Sequence, residues 1–201
     1  MNGSSSRQRC PHCERPLPRC YCRQLPTLAN RWPVWICQHP TESRHALGTA
    51  RIAVLGLEQC LLSPCPGPAN PAMFPASSAL PALIYPGEDA LPIEALQTQD
   101  IRPLLFLDGT WRKAHRMLME SAWLQSLPRY SLQPSMPSRY RIRRAPRPDA
   151  LSTLEAIVKT LGVLEGDEQR FAPLLSVMDH LVEEQITHMG ETVYQRNYRR
   201  E

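Results

Sequence analysis

Nothing in this 201-residue sequence is both long and apolar. Its hydrophobic runs extend only a few residues, against the roughly 20 that a membrane-spanning helix needs. The opening stretch MNGSSSRQRC lacks the apolar core of a secretory signal. No internal repeat is visible, and charge of one sign is scarce. The 23 Lys+Arg and 19 Asp+Glu leave a net +4, too mild to demand a nucleic-acid partner by itself. The expectation is a cytoplasmic protein with no membrane partner, in a compartment where thiols stay reduced.

Proline and cysteine are what the sequence has in excess. The 21 prolines are about twice the usual share. Eight of them (Pro64, Pro66, Pro68, Pro71, Pro75, Pro81, Pro86, Pro92) lie between residues 64 and 92. The stretch from Pro64 to Pro75 reads as an extended surface loop, because proline removes the helical donor and fixes φ. The length favours one core with a small appendage. The boundary falls near residue 25: a cysteine-bearing knob over 1–25 and a main domain over 26–201, with residues 1–9 expected disordered.

Within the main domain, residues 31–39, 60–63, 80–86, 103–108 and 129–132 read as strands. Residues 42–59 read as a helix with a break near Gly48, and 92–98 as a short one. Helices are also expected over 110–123, where Trp111, Ala114 and Leu118 share a face, over 152–164 and over about 169–189. Ser152 followed by Glu155 is a capping box. Strands alternating with helices indicate an α/β fold with a mainly parallel sheet flanked by helices.

Four cysteines, Cys10, Cys13, Cys20 and Cys22, fall within 13 positions. A pair two residues apart can hold one edge of a metal tetrahedron, and the turn ERPLPR brings the second pair round. Structural Zn²⁺ is the reading that fits spacing and compartment best, against a redox pair or unrelated buried thiols. Cys37, Cys60 and Cys65 read as reduced core or loop thiols.

The stretch IRPLLFLDGTWRKAH ends a buried strand on Asp108, then places Trp111, Arg112 and Lys113 on the next turn. One reading is a helix start, with Thr110 or Asp108 as N-cap and Trp111 packed on the core. The other is a ligand site, because open α/β sheets bind ligands beyond the carboxyl ends of their strands. There Asp108 would be a base or clamp, Trp111 a wall, and Arg112 or Arg116 a phosphate contact.

The cysteine knob, HPTE (39–42) with TAR (49–51), YPGED (85–89), LDGTW (107–111), YRIRR (140–144) and LSTLEA (151–156) occur in that order. By these motifs the chain resembles the DTW-domain family of tRNA-uridine aminocarboxypropyltransferases along nearly its whole length. It departs from the family pattern at Gly48, where asparagine is expected. The resemblance implies a SPOUT-like fold with a C-terminal trefoil knot that binds S-adenosylmethionine. It also implies transfer of the 3-amino-3-carboxypropyl group to N3 of a tRNA uridine, with methylthioadenosine leaving.

On that reading Asp108 is the general base or holds the donor's ammonium, assisted by Thr110 and Trp111. Tyr85, Pro86, Gly87, Glu88, Leu107, Asp108, Leu151, Ser152 and Thr153 face the donor. The helix opening at Ser152 offers amides to its carboxylate, and Arg51 or Arg144 offers a cation. Glu88 and Asp89 are candidates for ribose contacts, and His39 and Glu42 belong to the same rim. Arg51, Arg112, Arg116, Arg139, Tyr140, Arg141, Arg143 and Arg144 are the RNA-binding candidates, combining phosphate partners with a stacking ring. Lys113, Arg147 and the C-terminal YQRNYRRE could widen that surface. The alternatives are a SPOUT-type RNA methyltransferase and a non-catalytic zinc-ribbon RNA-binding protein. Oligomeric state stays open between monomer and homodimer.

Overall fold

A computed structural model of the chain describes residues 8–42, 48–65, 79–133, 138–142 and 150–198. Six strands form one sheet: β1 (Val34–Gln38), β2 (Cys60–Pro64), β3 (Ala82–Ile84), β4 (Leu91–Pro92), β5 (Leu104–Asp108) and β6 (Arg129–Ser131). Their order is β2-β1-β5-β3-β6-β4, and every neighbouring pair is parallel. The helices are α1 (Thr49–Gly56), α2 (Trp111–Glu120), α3 (Ala122–Ser126), α4 (Thr153–Glu165), α5 (Ala172–Met189) and α6 (Glu191–Tyr198). The expected α/β architecture is therefore present. No helix among the described residues is long and apolar enough to cross a membrane.

A parallel strand covered on both faces needs apolar side chains at every position, which is why β1 and β5 are buried throughout. Alternate residues serve opposite layers. Val34, Ile36, Leu104 and Phe106 pack with Leu154, Ile157, Leu174 and Met178 of α4 and α5. Trp35, Cys37, Leu105 and Leu107 pack with Met117, Leu118 and Leu124 of α2 and α3. By the same period, Gln38 and Asp108, paired in register at the strand ends, fall on the α4 side.

The start of α4 is held by a complete capping box. Ser152 Oγ accepts from the Glu155 amide at 3.3 Å, and Glu155 accepts from the Ser152 amide at 2.7 Å. The buried Glu155 carboxylate also takes the Ser138 hydroxyl at 2.8 Å and the Arg139 amide at 2.5 Å. The expected cap thus also anchors residues 138–142 to α4.

Residues 8–25 carry an antiparallel bridge between Arg9 and Pro16 and two 3₁₀ turns, Leu17–Arg19 and Cys22–Gln24. Cys10, Cys13 and Tyr21 join the same buried cluster as the sheet. Two helices grip this knob through ions. On α5, Glu184 pairs with Arg15 at 2.7 Å and with Arg19 at 3.5 Å. On α1, Arg51 pairs with Glu14 at 2.9 Å and donates to the His12 carbonyl at 3.2 Å.

Several sequence expectations change. Gln8 and Arg9, placed in a disordered tail, are tied to Leu17 and Pro16 by backbone bonding. The helix read over 42–59 begins at Thr49, and residues 43–47 lie outside the described set. The helix read over 110–123 divides at Ser121, whose hydroxyl accepts from the Leu124 amide at 3.3 Å and caps α3. A hydroxyl that caps a new helix competes with continuing the old one. The last long helix starts at Ala172 with Pro173 in its first turn, and α6 follows Gly190 at φ 82°.

Cys37 and Cys65, read as reduced thiols, are joined by a disulfide. The β1–β2 register sets Cys37 beside Ser63, and the Cys65 amide donates to the Gln38 carbonyl at 2.8 Å. That leaves the two Cα atoms 5.1 Å apart, within disulfide range. The proline-rich loop over 66–75 and the tail over 1–7 lie outside the described residues.

Replacing Glu155 by Ala strips acceptors from the Ser152 and Arg139 amides and from the Ser138 hydroxyl. It should cost about 1–3 kcal/mol of unfolding free energy, read from urea midpoints at an unchanged m-value, with Glu155→Gln losing less.

Candidate functional site

The two layers meet beyond the carboxyl ends of β3 and β5, and the space between them is a half-open, largely apolar cleft. Ile84, Tyr85 and Pro86 line one side, Leu107, Gly109, Trp111 and Ala114 another. Leu151, Ser152, Thr153 and Ala156 close it from the start of α4 and the turn before it, with Phe106, Leu132 and Ala150 completing the walls. The turns carrying YPGED, LDGTW and LSTLEA therefore converge on one cavity.

Thr110 is the N-cap of α2, its hydroxyl accepting from the Lys113 amide at 3.3 Å. This fixes Trp111 as the first helical residue, and its ring lies 5.9 Å from that of Tyr85 at 51°. The Trp111 Nε1–H is shut off from solvent and has no acceptor among the described residues. Burial raises the Tyr85 hydroxyl above its ordinary pKa, partly offset by Arg129. On α4 the capping box satisfies the Glu155 amide but leaves those of Thr153 and Leu154 without an intrahelical acceptor.

Asp108 is not a lining residue. It is 8% exposed, and both carboxylate oxygens are engaged. Oδ2 accepts from Gln38 Nε2 at 2.8 Å, and Oδ1 accepts from Thr153 Oγ1 at 2.7 Å. Thr153 thus links the Asp108 carboxylate to the cleft wall. Gly109 lets β1 and α2 close in: a β-carbon there would lie 3.3 Å from Lys113 Cβ and 3.5 Å from His39 Cβ. His39, Glu42 and Lys113 form the adjoining rim, with Lys113 Nζ 2.6 Å from Glu42 Oε1. The Thr41 amide donates to His39 Nδ1 at 3.2 Å, and the Thr41 hydroxyl lies 2.9 Å from the same nitrogen.

Of the expected donor contacts, Tyr85, Pro86, Leu107, Leu151, Ser152 and Thr153 line the cleft, whereas Gly87, Glu88 and Asp108 do not. Glu88 and Asp89 are exposed. Gly87 makes room for Arg129 instead: a β-carbon there would meet Nη1 at 2.6 Å. Arg129 Nε is buried without a partner among the described residues.

The RNA-binding candidates are dispersed. Arg51 is held by the knob, Arg116 pairs with Glu120 at 2.6 Å, and Arg112 is exposed. Arg139 pairs with Asp179, and Arg141 with Glu183, both on α5. Tyr140 is half-buried against the core, and Arg143, Arg144 and Arg147 lie outside the described residues.

Gln38, Arg129 and the apolar wall of Ile84, Phe106, Ala114, Leu132, Ala150 and Ala156 were not anticipated. A glutamine at the end of an otherwise apolar strand was a signal for the first. The wall residues are apolar and had none.

In the knob the sulfur atoms of Cys10, Cys13, Cys20 and Cys22 all lie within 4.8 Å of one another. Cys10–Cys22 and Cys13–Cys20 are 3.6 and 3.7 Å apart. A tetrahedron of thiolates at 2.3 Å from an ion has edges of about 3.8 Å, so the cluster fits a metal. Backbone amides of Cys13 and His12 lower the Cys10 thiol to about 6. Burial and the neighbouring sulfurs raise Cys22.

A family model described as DTW domain matches residues 7–186. A Drosophila melanogaster protein named tRNA-uridine aminocarboxypropyltransferase 2 is 34% identical over 170 residues, covering 80% of this chain and 68% of its own. An Arabidopsis thaliana protein named tRNA-uridine aminocarboxypropyltransferase A is 28% identical over 212 residues, covering 88% of this chain and 80% of its own. No solved structure matches. Three of the motifs that carried the resemblance wall a single cleft, the family model spans most of the sequence, and the chain belongs to the DTW-domain family.

Proposed function

We propose that this protein is a tRNA-uridine aminocarboxypropyltransferase that moves the 3-amino-3-carboxypropyl group of S-adenosylmethionine to N3 of a tRNA uridine. The observation that carries this is the cleft itself: apolar walls, a tilted aromatic pair, and the open amide end of α4, in a chain of this family. The donor supplies a carbon electrophile beside a sulfonium leaving group. Tyr85, Trp111 and the apolar wall suit its adenosine, and the buried Trp111 N–H, which has no acceptor among the described residues, is a donor for one there. The Thr153 and Leu154 amides, at the positive end of α4, suit its carboxylate. Excluding water from such a site strengthens those contacts.

The SPOUT-like knotted architecture belongs to the same proposal. It is supported by the parallel sheet and by a cleft built from loops that follow β3, β5 and residue 150. A cytoplasmic site of action is part of it too, with the Cys37–Cys65 disulfide an exception to the reduced state usual there. tRNA would be held by Arg112, Arg116, Arg139, Tyr140, Arg141, Arg143 and Arg144. Arg51, engaged by Glu14, serves the knob instead. The metal is Zn²⁺, bound by Cys10, Cys13, Cys20 and Cys22; four thiolates leave no open position, so its role is structural.

Incubation with S-adenosylmethionine and tRNA should release methylthioadenosine and leave a heavier uridine. Release of S-adenosylhomocysteine would mark a methyltransferase, and tRNA binding without S-adenosylmethionine binding would mark a non-catalytic RNA-binding protein. Affinity for tRNA should fall steeply between about 50 and 200 mM salt, as expected when phosphate contacts dominate. Purified protein should carry zinc by elemental analysis. Cys13→Ser or chelation should release the metal and lower the melting temperature by about 10 °C or more.

A further inference from the structure

We infer that Asp108 is a positioning residue that fixes the amino end of α4 against the sheet, and that it does not take the uridine proton. This rests on the transferase reading above. A general base must lie within hydrogen-bond reach of the proton it removes. Asp108 sits behind the wall: its neighbours Leu107 and Gly109 line the cleft and it does not. Its oxygens face two donors supplied by the fold, Gln38 Nε2 at 2.8 Å and Thr153 Oγ1 at 2.7 Å.

The arrangement is built from three independent constraints. Parallel register sets Gln38 opposite Asp108. The period of the strand turns Asp108 to the α4 side, with Leu104 and Phe106. The capping box then makes Thr153 the first residue of α4 and brings its hydroxyl to the carboxylate. A hydroxyl has one proton to give, and Thr153 gives it to Asp108. The consequence for the ligand is indirect. Asp108 sets where α4 begins, and so where the Thr153 and Leu154 amides stand in the cleft.

The two roles predict different kinetics. An asparagine at 108 can keep both links: its carbonyl still accepts from Thr153, and its NH₂ can donate to Gln38 once that amide rotates. It cannot act as a base. The test is steady-state transfer to tRNA by the full chain, following methylthioadenosine across pH, for wild type, Asp108→Asn, Thr153→Val and Thr153→Ser. Positioning predicts that Thr153→Val raises KM for S-adenosylmethionine about tenfold with little change in kcat, and that Thr153→Ser restores it. It also predicts that Asp108→Asn lowers kcat by less than about tenfold and leaves the acidic limb of the pH–kcat profile in place.

A loss of about 100-fold or more in kcat for folded Asp108→Asn at unchanged KM, with the acidic limb moved, is the signature of a base and overturns the inference. So does a Thr153→Val enzyme indistinguishable from wild type, a result that stands even if the Asp108 variant does not fold. A wild-type chain that binds S-adenosylmethionine but releases no methylthioadenosine rejects the transferase reading itself, and the two failures are told apart.

Discussion

A carboxylate removed from water must find partners, and Asp108 finds them in segments far from it in the chain. Gln38 is 70 residues before it and Thr153 is 45 after, yet both donate to it within 2.8 Å. Hydrogen bonds to an ionised acceptor are among the stronger ones a protein makes, and a buried charge that loses them is costly. The three-way joint therefore dictates how β1, β5 and α4 come together. The cleft is what remains open above it, because Leu107 and Gly109 flank the joint while α4 supplies the facing edge.

What the sequence makes legible here is local. The apolar run ending at Asp108 reads as a strand because both faces of a central parallel strand are covered. The Ser152–Glu155 pair reads as a helix start because a cap needs its reciprocal acceptor three residues on. The cysteine spacing reads as a metal cluster because one pair bridges an edge of a tetrahedron. Each of these interactions is completed within a few residues of chain.

Other features depend on distance in the chain and leave no local trace. The partner of Asp108 depends on β5 lying next to β1, which no periodicity in either strand encodes. The Cys37–Cys65 bond depends on the register of β2, and Arg51 meets Glu14 only because the knob docks on α1. Ser121 looked like one more residue on a helix whose apolar face continues, until its hydroxyl turned inward as a cap. In α6 no residue is buried, so apolar spacing could not announce it. Basic residues were the least legible of all: half of those described are held by nearby carboxylates, and their count overstated the positive charge on offer.

The strand order also carries a consequence for how the chain is made. β5 lies between β1 and β3, so the sheet's centre cannot be assembled in the order of synthesis. On a ribosome β1, β2 and β3 emerge well before the strand that must slot among them. A nascent chain halted before residue 104 would hold exposed strand edges with nothing to satisfy them, the kind of species that chaperones shield. Contacts this distant favour slow closure. The cleft is thus among the last parts to exist, complete only once the helix that follows residue 152 has left the exit tunnel.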